Sequence, residues 1–334
     1  MQQPPTPVQA HVSADVPAGA RPRVSVVVPS YNHARFVADC LRSIFKQTHA
    51  PAEVIVIDDG STDGSVAVIE RELRDCPFPC ELFARENRGL CATLNEGLAR
   101  TKGDFFAYLG SDDLWLADFL RARVALLDGR PGAALAYGHA FLIDAENRVV
   151  DSSAGWGAAY ADGDARPMLL RTTAPLSPTV VYRRPFVGRH GWREGARLED
   201  YELYLKLAAE GEFAFDPRPL AAWRWHGTNA SRDQRMMLDE QLAAQRRERA
   251  LLGLDERALA RLHARLRFER AEDFLRLGRK RDALRLALSN LSGARSPRAV
   301  ARILARLAVP YPLVRARQRR AASRTSERYG VIRV

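Results

Sequence analysis

The sequence predicts an α/β protein: a doubly wound sheet, parallel in its first half and mixed in its second, followed by an all-α C-terminal region. Three observations carry this expectation. Short β-branched runs alternate with helical periodicity over residues 24–109, strand-like pieces cluster after Ala133, and helix-forming, arginine-rich sequence fills the chain beyond about residue 230.

Val24-Ser-Val-Val-Val-Pro29 reads as a central strand buried on both faces and ended by proline. Over 34–47, Phe36, Val37, Cys40, Leu41, Ile44 and Phe45 form one stripe of a 3.6-residue period, so a helix follows. Val54-Ile-Val-Ile57 is a second buried strand, stopped by the turn-forming Asp58-Asp-Gly-Ser-Thr-Asp-Gly64. A helix over 64–74, a strand at Glu81–Ala84, a helix over 89–100 and a strand over 104–109 complete a β-α-β-α-β-α-β series, which implies a parallel sheet with its ligand at the carboxyl ends of the strands. Ala134–Tyr137, Phe141–Ile143 and Thr179–Tyr182 read as shorter strands, separated by polar loops such as 151–166. Residues 199–210 form a helix with Tyr201, Leu203, Tyr204, Leu207 and Ala208 inward.

The 334 residues carry a formal charge of +11 that is unevenly spread: residues 1–230 hold 25 Lys and Arg against 29 Asp and Glu, and residues 231–334 hold 26 against 11. Body and tail are therefore different kinds of object. The organisation expected is a disordered leader over 1–21, an α/β domain over 22–230 and a basic helical region over 231–334. The first twenty residues, rich in Pro and Ala, lack Lys, Arg and the apolar core of a signal peptide. No run approaches the roughly 18 to 20 uncharged apolar residues that span a bilayer. Cys40, Cys76, Cys80 and Cys91 form no CxxC pair and are expected as thiols, in keeping with a cytoplasmic location.

The two strongest phosphate-binding signatures, GxxxxGK[ST] and a GxGxxG opening a helix, are absent, which argues against a nucleotide triphosphatase or a nicotinamide dehydrogenase. The strand ends carry acids instead, Asp58-Asp59 and Asp112-Asp113. Adjacent carboxylates at a low-dielectric strand end repel, so a cation or hydrogen-bond donors must neutralise them. Carboxylate oxygens suit Mg²⁺ or Mn²⁺ with a substrate phosphate completing the shell. Asp58 and Asp63 can equally cap turns and helices. Two acids behind the apolar run Phe105–Leu109 exceed what a turn requires.

VSVVVPSYNHARFVADCLRSIFKQT, EVIVIDDGSTDGS, ENRGLCATLNEGLARTKGDFFAYLGSDDLW and LEDYELYLKLA, in this order and spacing, resemble the family-2 glycosyltransferases of GT-A fold over about residues 23–230. The resemblance implies the GT-A nucleotide-diphospho-sugar transferase fold and a metal-dependent, inverting transfer from a nucleotide-sugar donor, a UDP-sugar first among them, to a glycan or lipid-linked acceptor in surface polysaccharide or glycolipid synthesis. It implies that Pro29, Tyr31 and Asn32 line the nucleotide pocket, that Asp59 bonds the base, and that Arg88 and Gly89 lie along the nucleotide. In SDD, this chain's form of the DxD motif, it implies Asp113 nearest the metal and Asp112 nearest the ribose. Asp200 would be the general base, and the segment from Trp223 to Ser231 would close the site, with Arg224 and His226 as phosphate or metal contacts. A proline common past the second acid is Ala117 here, which leaves that loop's shape open. The rival reading is a non-catalytic scaffold on the same fold.

The tail shows Ala271-x-x-Phe274-Leu275-x-Leu277-Gly278 followed by Ala283-Leu284-x-x-Ala287-Leu288, the pattern of one helical hairpin. Over 298–309, Val300, Ile303, Leu304 and Leu307 share a face, with Arg298, Arg302 and Arg306 elsewhere and more arginines following. Such a basic amphipathic helix suits an anionic membrane surface, placing the chain peripherally at the inner face of the cytoplasmic membrane. Only Phe268, Phe274, Tyr311 and Tyr329 are aromatic in this region, so no nucleic-acid stacking surface is expected.

Overall fold

The structure, a computed structural model, describes residues 23–226 and 233–334; the leader over 1–21 and most of the closing segment lie outside the described residues. Strands β1 (Val24–Ser30), β2 (Glu53–Asp58), β3 (Cys80–Ala84) and β4 (Phe105–Tyr108) alternate with helices α1 (Val37–Phe45), α2 (Ser65–Leu73) and α3 (Leu90–Arg100). They run parallel in the order β3-β2-β1-β4, with Val26 opposite both Val54 and Ala107. Every residue of β1 is buried, yet the period of two persists. Val24, Val26 and Val28 face a core made with α1, while Val27 faces the core on α3's side. Gly97 lets α3 lie close on β1, since a Cβ there would come within 2.6 Å of Val27.

The second half holds β5 (Leu114–Trp115), α4 (Phe119–Asp128), β6 (Ala133–Ile143), β7 (Val149–Ser152), α5 (Arg166–Leu170), β8 (Val181–Arg183), α6 (Arg184–His190), α7 (Glu199–Glu210) and β9 (Glu212–Arg224). The sheet continues β4-β8-β6-β9-β5, with β8 antiparallel to both its neighbours, β6 parallel to β9, and β7 paired to β6. Here the structure corrects the sequence reading. Ala134–Tyr137 and Phe141–Ile143 are one strand, and residues 177–179 are a 3₁₀ turn ahead of β8. The 13-residue β9 was not foreseen because Pro217 and Pro219 argue against a central strand. Register shifts at Gly138/His139 and His139/Ala140, where Pro219 faces His139, absorb them. A buried Arg123–Asp216 pair at 2.9 Å seals this bulge.

Beyond β9 come α8 (Gln234–Arg247), α9 (Glu256–Arg276), α10 (Lys280–Leu288), α11 (Pro297–Ala308) and α12 (Tyr311–Tyr329). Asp233, Asp255 and Ser296 cap three of them through the amides of Met236, Ala258 and Ala299. The expected hairpin is α9 and α10, with Ala271, Phe274, Leu275, Ala283 and Ala287 inside, whereas Leu277, Leu284 and Leu288 are exposed. Gly278, in the left-handed region at φ +76°, turns the chain between them. The apolar face of α11 is not free for a membrane: Ile303 is buried and Val300 and Leu307 pack against the hairpin, leaving Leu304 exposed. Nor is the helical region detached from the sheet. The buried Gln245 donates to the Tyr201 hydroxyl at 2.8 Å and to the Leu169 carbonyl at 3.3 Å.

Candidate active site

A cleft of about 910 Å³ opens at the carboxyl ends of β1 and β4. Its lining includes Pro29, Tyr108, Asp112 and Asp113 on one side, Glu199 and Asp200 at the start of α7, and Trp156, Trp223 and Trp225. Loops at this edge of a doubly wound sheet converge because the strands are parallel, which is why residues 84 positions apart share one cavity. Pro29 and the SDD acids thus meet Asp200 as expected. Tyr31 is half exposed beyond the lining.

The turn after β4 is held from the far side of the sheet. The Arg224 amide donates to Asp113 Oδ1 at 2.8 Å, and its guanidinium donates to the Asp112 carbonyl at 2.6 Å, the Asp144 carbonyl at 2.7 Å and Asn147 Oδ1 at 2.6 Å. Fully buried and seated over the Phe36 ring, Arg224 is therefore a strut rather than the expected phosphate contact. The loop that follows, around Ala117, is fixed by Thr48, whose amide donates to the Ala117 carbonyl at 2.8 Å.

The two SDD acids differ. Asp112 Oδ2 meets His226 Nε2 at 2.8 Å, and Asp112 Oδ1 lies 3.8 Å from His33 Nδ1. These three residues offer ligand atoms within 4.8 Å of one another. Burial would raise the Asp112 carboxyl, but the His226 hydrogen bond and the His33 charge outweigh it and hold it below the usual range. Burial, aided by His226 and Arg224, lowers the His33 imidazole. An ionised carboxylate with a neutral imidazole is the protonation state a divalent cation requires of its ligands, and the mixed O and N set suits Mn²⁺ better than Mg²⁺. His226 thus groups with Asp112, whereas the resemblance set Asp113 nearest the metal. Burial, then the neighbouring Asp112, push the Asp113 carboxyl well above its ordinary value. His33 was missed by the sequence reading; its one signal is its place directly after Tyr31-Asn32 at the end of β1.

The residues expected to bind the nucleotide base have in-chain partners. Asp59 accepts from the Arg88 and Gly89 amides, both at 2.8 Å, and pairs with the Arg85 guanidinium. Asp59, Arg88 and Gly89 therefore lie together. Asn32, at φ +54°, donates its amide to Ser61 Oγ at 2.8 Å and accepts from the Thr62 amide at 2.8 Å, so it pins the β1 loop to the β2 loop. Asp63 accepts from the Ala34 amide at 2.9 Å and from the Ser65 amide and hydroxyl at 3.0 and 2.5 Å, so it ties the β1 loop to the start of α2, whose N-cap is Gly64.

Asp200 is buried at the first turn of α7, and its carboxyl is raised well above the ordinary aspartate value by burial and by Glu199. Glu199 is raised as well, by burial, against a hydrogen bond from the Tyr108 hydroxyl at 3.3 Å.

The last residues of the chain reach the same region. Tyr329 packs on Phe141 with ring centres 4.9 Å apart, the Val149 amide donates to the Gly330 carbonyl at 2.9 Å, and the Ile332 amide donates to the Asn147 carbonyl at 2.9 Å. Asn147 is also Arg224's partner, so the C-terminus buttresses the SDD turn at one remove.

Residues 25–167 match the family model described as glycosyl transferase family 2. An uncharacterized glycosyltransferase of Nostoc sp. is 27% identical over 216 residues, covering 62% of this chain and 66% of that protein. A teichuronic acid biosynthesis glycosyltransferase of Bacillus subtilis, itself putative in name, is 33% identical over 32% of this chain and 42% of that protein. The chain thus spans less than two thirds of the length of these curated relatives. Among solved structures, a mannosyltransferase of Pyrobaculum calidifontis in complex with GDP-Man and Mn²⁺ superposes with a TM-score of 0.58 at 21% identity, covering 92% of this chain and 88% of that one. The likeness fixes the fold as GT-A type, a mixed curled sheet with helices and a helical C-terminal region.

Proposed function

From the match of residues 25–167 to glycosyl transferase family 2 and the likeness to glycosyltransferases, we propose that the chain moves a sugar, with inversion at the anomeric carbon, from a nucleotide-sugar donor to a hydroxyl of a saccharide or lipid-linked glycan in surface polysaccharide or glycolipid synthesis. The observation that carries this is one cleft lined by both Asp112 and the buried Asp200, with His33 and His226 grouped on Asp112. We take residues 22–230 as the transferase unit and 231–334 as its basic extension.

Asp200 would accept the proton of the attacking hydroxyl. Its raised carboxyl makes it a stronger base once ionised, and one base is enough for a single displacement. Asp112, His33 and His226 fit a divalent cation, Mn²⁺ or Mg²⁺, which would supply positive charge to the leaving diphosphate. Asp113, bonded to the Arg224 amide, would hold the turn in register and face the donor. Asp59 with Arg88 and Gly89 would frame the base pocket beside Tyr31, Asn32 and Pro29. The donor's base is open to test, since the fold neighbour above holds GDP-Man, so a UDP-sugar is the first of several to try.

The test is a thermal-shift panel of UDP, GDP, dTDP and CDP with and without Mn²⁺. At least one diphosphate should raise the melting temperature in a Mn²⁺-dependent way; no shift from any of them would favour the scaffold reading. In the enzyme, Asp200→Asn should lower kcat by about 10³-fold or more while leaving the nucleotide shift in place. The acid limb of wild-type kcat/KM should lie above the ordinary aspartate range.

For location, no helix among the described residues is long and apolar enough to cross a membrane. The exposed Leu288, Leu304 and Leu313, set among arginines, support contact with an anionic inner leaflet. Vesicles containing anionic lipid should bind the full chain and release it in high salt; equal binding to neutral vesicles would overturn this.

A further inference from the structure

Helix α12 is 19 residues long, yet none of them is buried. It is nevertheless fastened at both ends. At its start, Tyr311 lies against Gly278, where an added Cβ would meet the ring at 2.8 Å. At its end, Tyr329 sits on Phe141, and Ile332 and Val334 join the cluster of Leu114, Phe141, Ile143, Val149 and Ala222. A helix clamped at both ends and unburied between them is a strap, and what lies under it is the cleft: Gln318, Ala321 and Ala322, at i, i+3 and i+4 on one face, line the cavity that also holds Asp200.

The strap's two faces differ in chemistry. The cleft-lining face is small and uncharged, while Arg315, Arg317, Arg319, Arg320 and Arg324 are exposed. Among the other linings of the cavity are Trp156 and Trp225, large aromatic residues left 42% and 38% exposed, with Trp223 edge-on to Trp225 at 5.6 Å. Exposed indole faces grouped in a cleft are costly to hydrate, and they suit a ligand with an apolar face and a polar edge. A sugar ring has this form, with its C–H face for the indole and its hydroxyls for Asp200 and for the side-chain carbonyl of Gln318, whose amide nitrogen donates to the Arg276 carbonyl at 3.2 Å.

We propose that α12 and the three tryptophans enclose a saccharide subsite, so that the acceptor's sugar ring lies under the strap with its attacking hydroxyl turned to Asp200. The inference rests on the transferase reading above and names the acceptor's recognised part as a neutral sugar ring rather than a phosphate. Small side chains at 321 and 322 set the height of the subsite, so bulk there excludes the ring.

The test is calorimetric titration of the full chain, in the presence of Mn²⁺ and the nucleoside diphosphate that shifts its melting, with oligosaccharides ending in glucose, galactose, mannose or N-acetylglucosamine. At least one should bind, with affinity lowered tenfold or more by Trp156→Ala and by Ala322→Trp, and unchanged by the outward control Arg317→Gln. The nucleotide shift should persist in all three variants, which shows that they fold. Absence of binding by every saccharide, or equal affinity in the two cleft variants, overturns the subsite. Absence of any nucleotide shift in the wild type would instead overturn the transferase reading on which it rests.

Discussion

Two identical dipeptides, Asp58-Asp59 and Asp112-Asp113, stand at the same edge of the same sheet, and the chain treats them in opposite ways. The first pair is supplied with donors. Asp58 accepts from the Ser61 amide at 2.8 Å and from the hydroxyls of Ser61 and Ser30 at 2.7 and 3.0 Å, while Asp59 has two amides and Arg85. The second pair is undersupplied. Asp113 has the Arg224 amide and Asp112 two histidines, and Asp113 is driven toward its neutral form. Like charges at the first strand end are thus settled by local donors, and those at the second are left with fewer, which supports the proposal that a ligand completes them.

The contrast can be broken by mutation. The largest effect should fall on binding: Asp112→Ala should weaken Mn²⁺-dependent nucleotide binding by about 100-fold or more, by analogy with the loss of a metal-orienting group, with little loss of stability. Calorimetry with the nucleotide, with and without Mn²⁺, reads this directly, and an unchanged Mn²⁺ dependence would refute the ligand assignment. Asp59→Ala should act on stability as well, since Asp59 holds the loop that would frame the base pocket. It removes one of the two carboxylates that Arg85 pairs with, Glu96 remaining, and leaves two loop amides without their acceptor, so unfolding should become easier by about 1–3 kcal/mol, as measured by urea denaturation.

A smaller effect separates the pairs by pH. Because the folded-state Asp113 carboxyl is raised, its favourable contribution is complete below the unfolded value near 4 and is lost as pH rises through the folded value. Asp113→Asn should therefore stabilise the cation-free protein by on the order of 1 kcal/mol at pH 8 and by nothing at pH 4. A gain that does not depend on pH would deny the role of charge. The smallest effect belongs to Asp63, where Asp63→Ala removes the acceptor of the Ala34 and Ser65 amides and should cost about 1 kcal/mol while leaving nucleotide binding alone.

Most of the scaffold was legible because its signals are local. The β-branched runs of β1 and β2, the stripe of α1 and the hairpin of α9 and α10 each declare themselves within a dozen residues. Strand β9 was hidden because its prolines are acceptable only where β6 bulges, a fact about a partner 80 residues away. The amphipathic pattern of 298–309 was correctly helical, but its occupant was misjudged, since periodicity reveals a face and not what covers it.

The sequence by itself determined the alternation of strands and helices, the edge at which ligands collect, and that Asp112 and Asp113 are acids beyond the needs of their turn. Only the tertiary structure decided that His33 joins Asp112 and His226, that Arg224 is a strut, that the C-terminus latches beside Asn147, and that burial lifts Asp200. The physical reason is range. Propensity and periodicity act between neighbours along the chain, whereas desolvation, ligand geometry and the field at a carboxylate depend on groups brought together from a hundred residues apart.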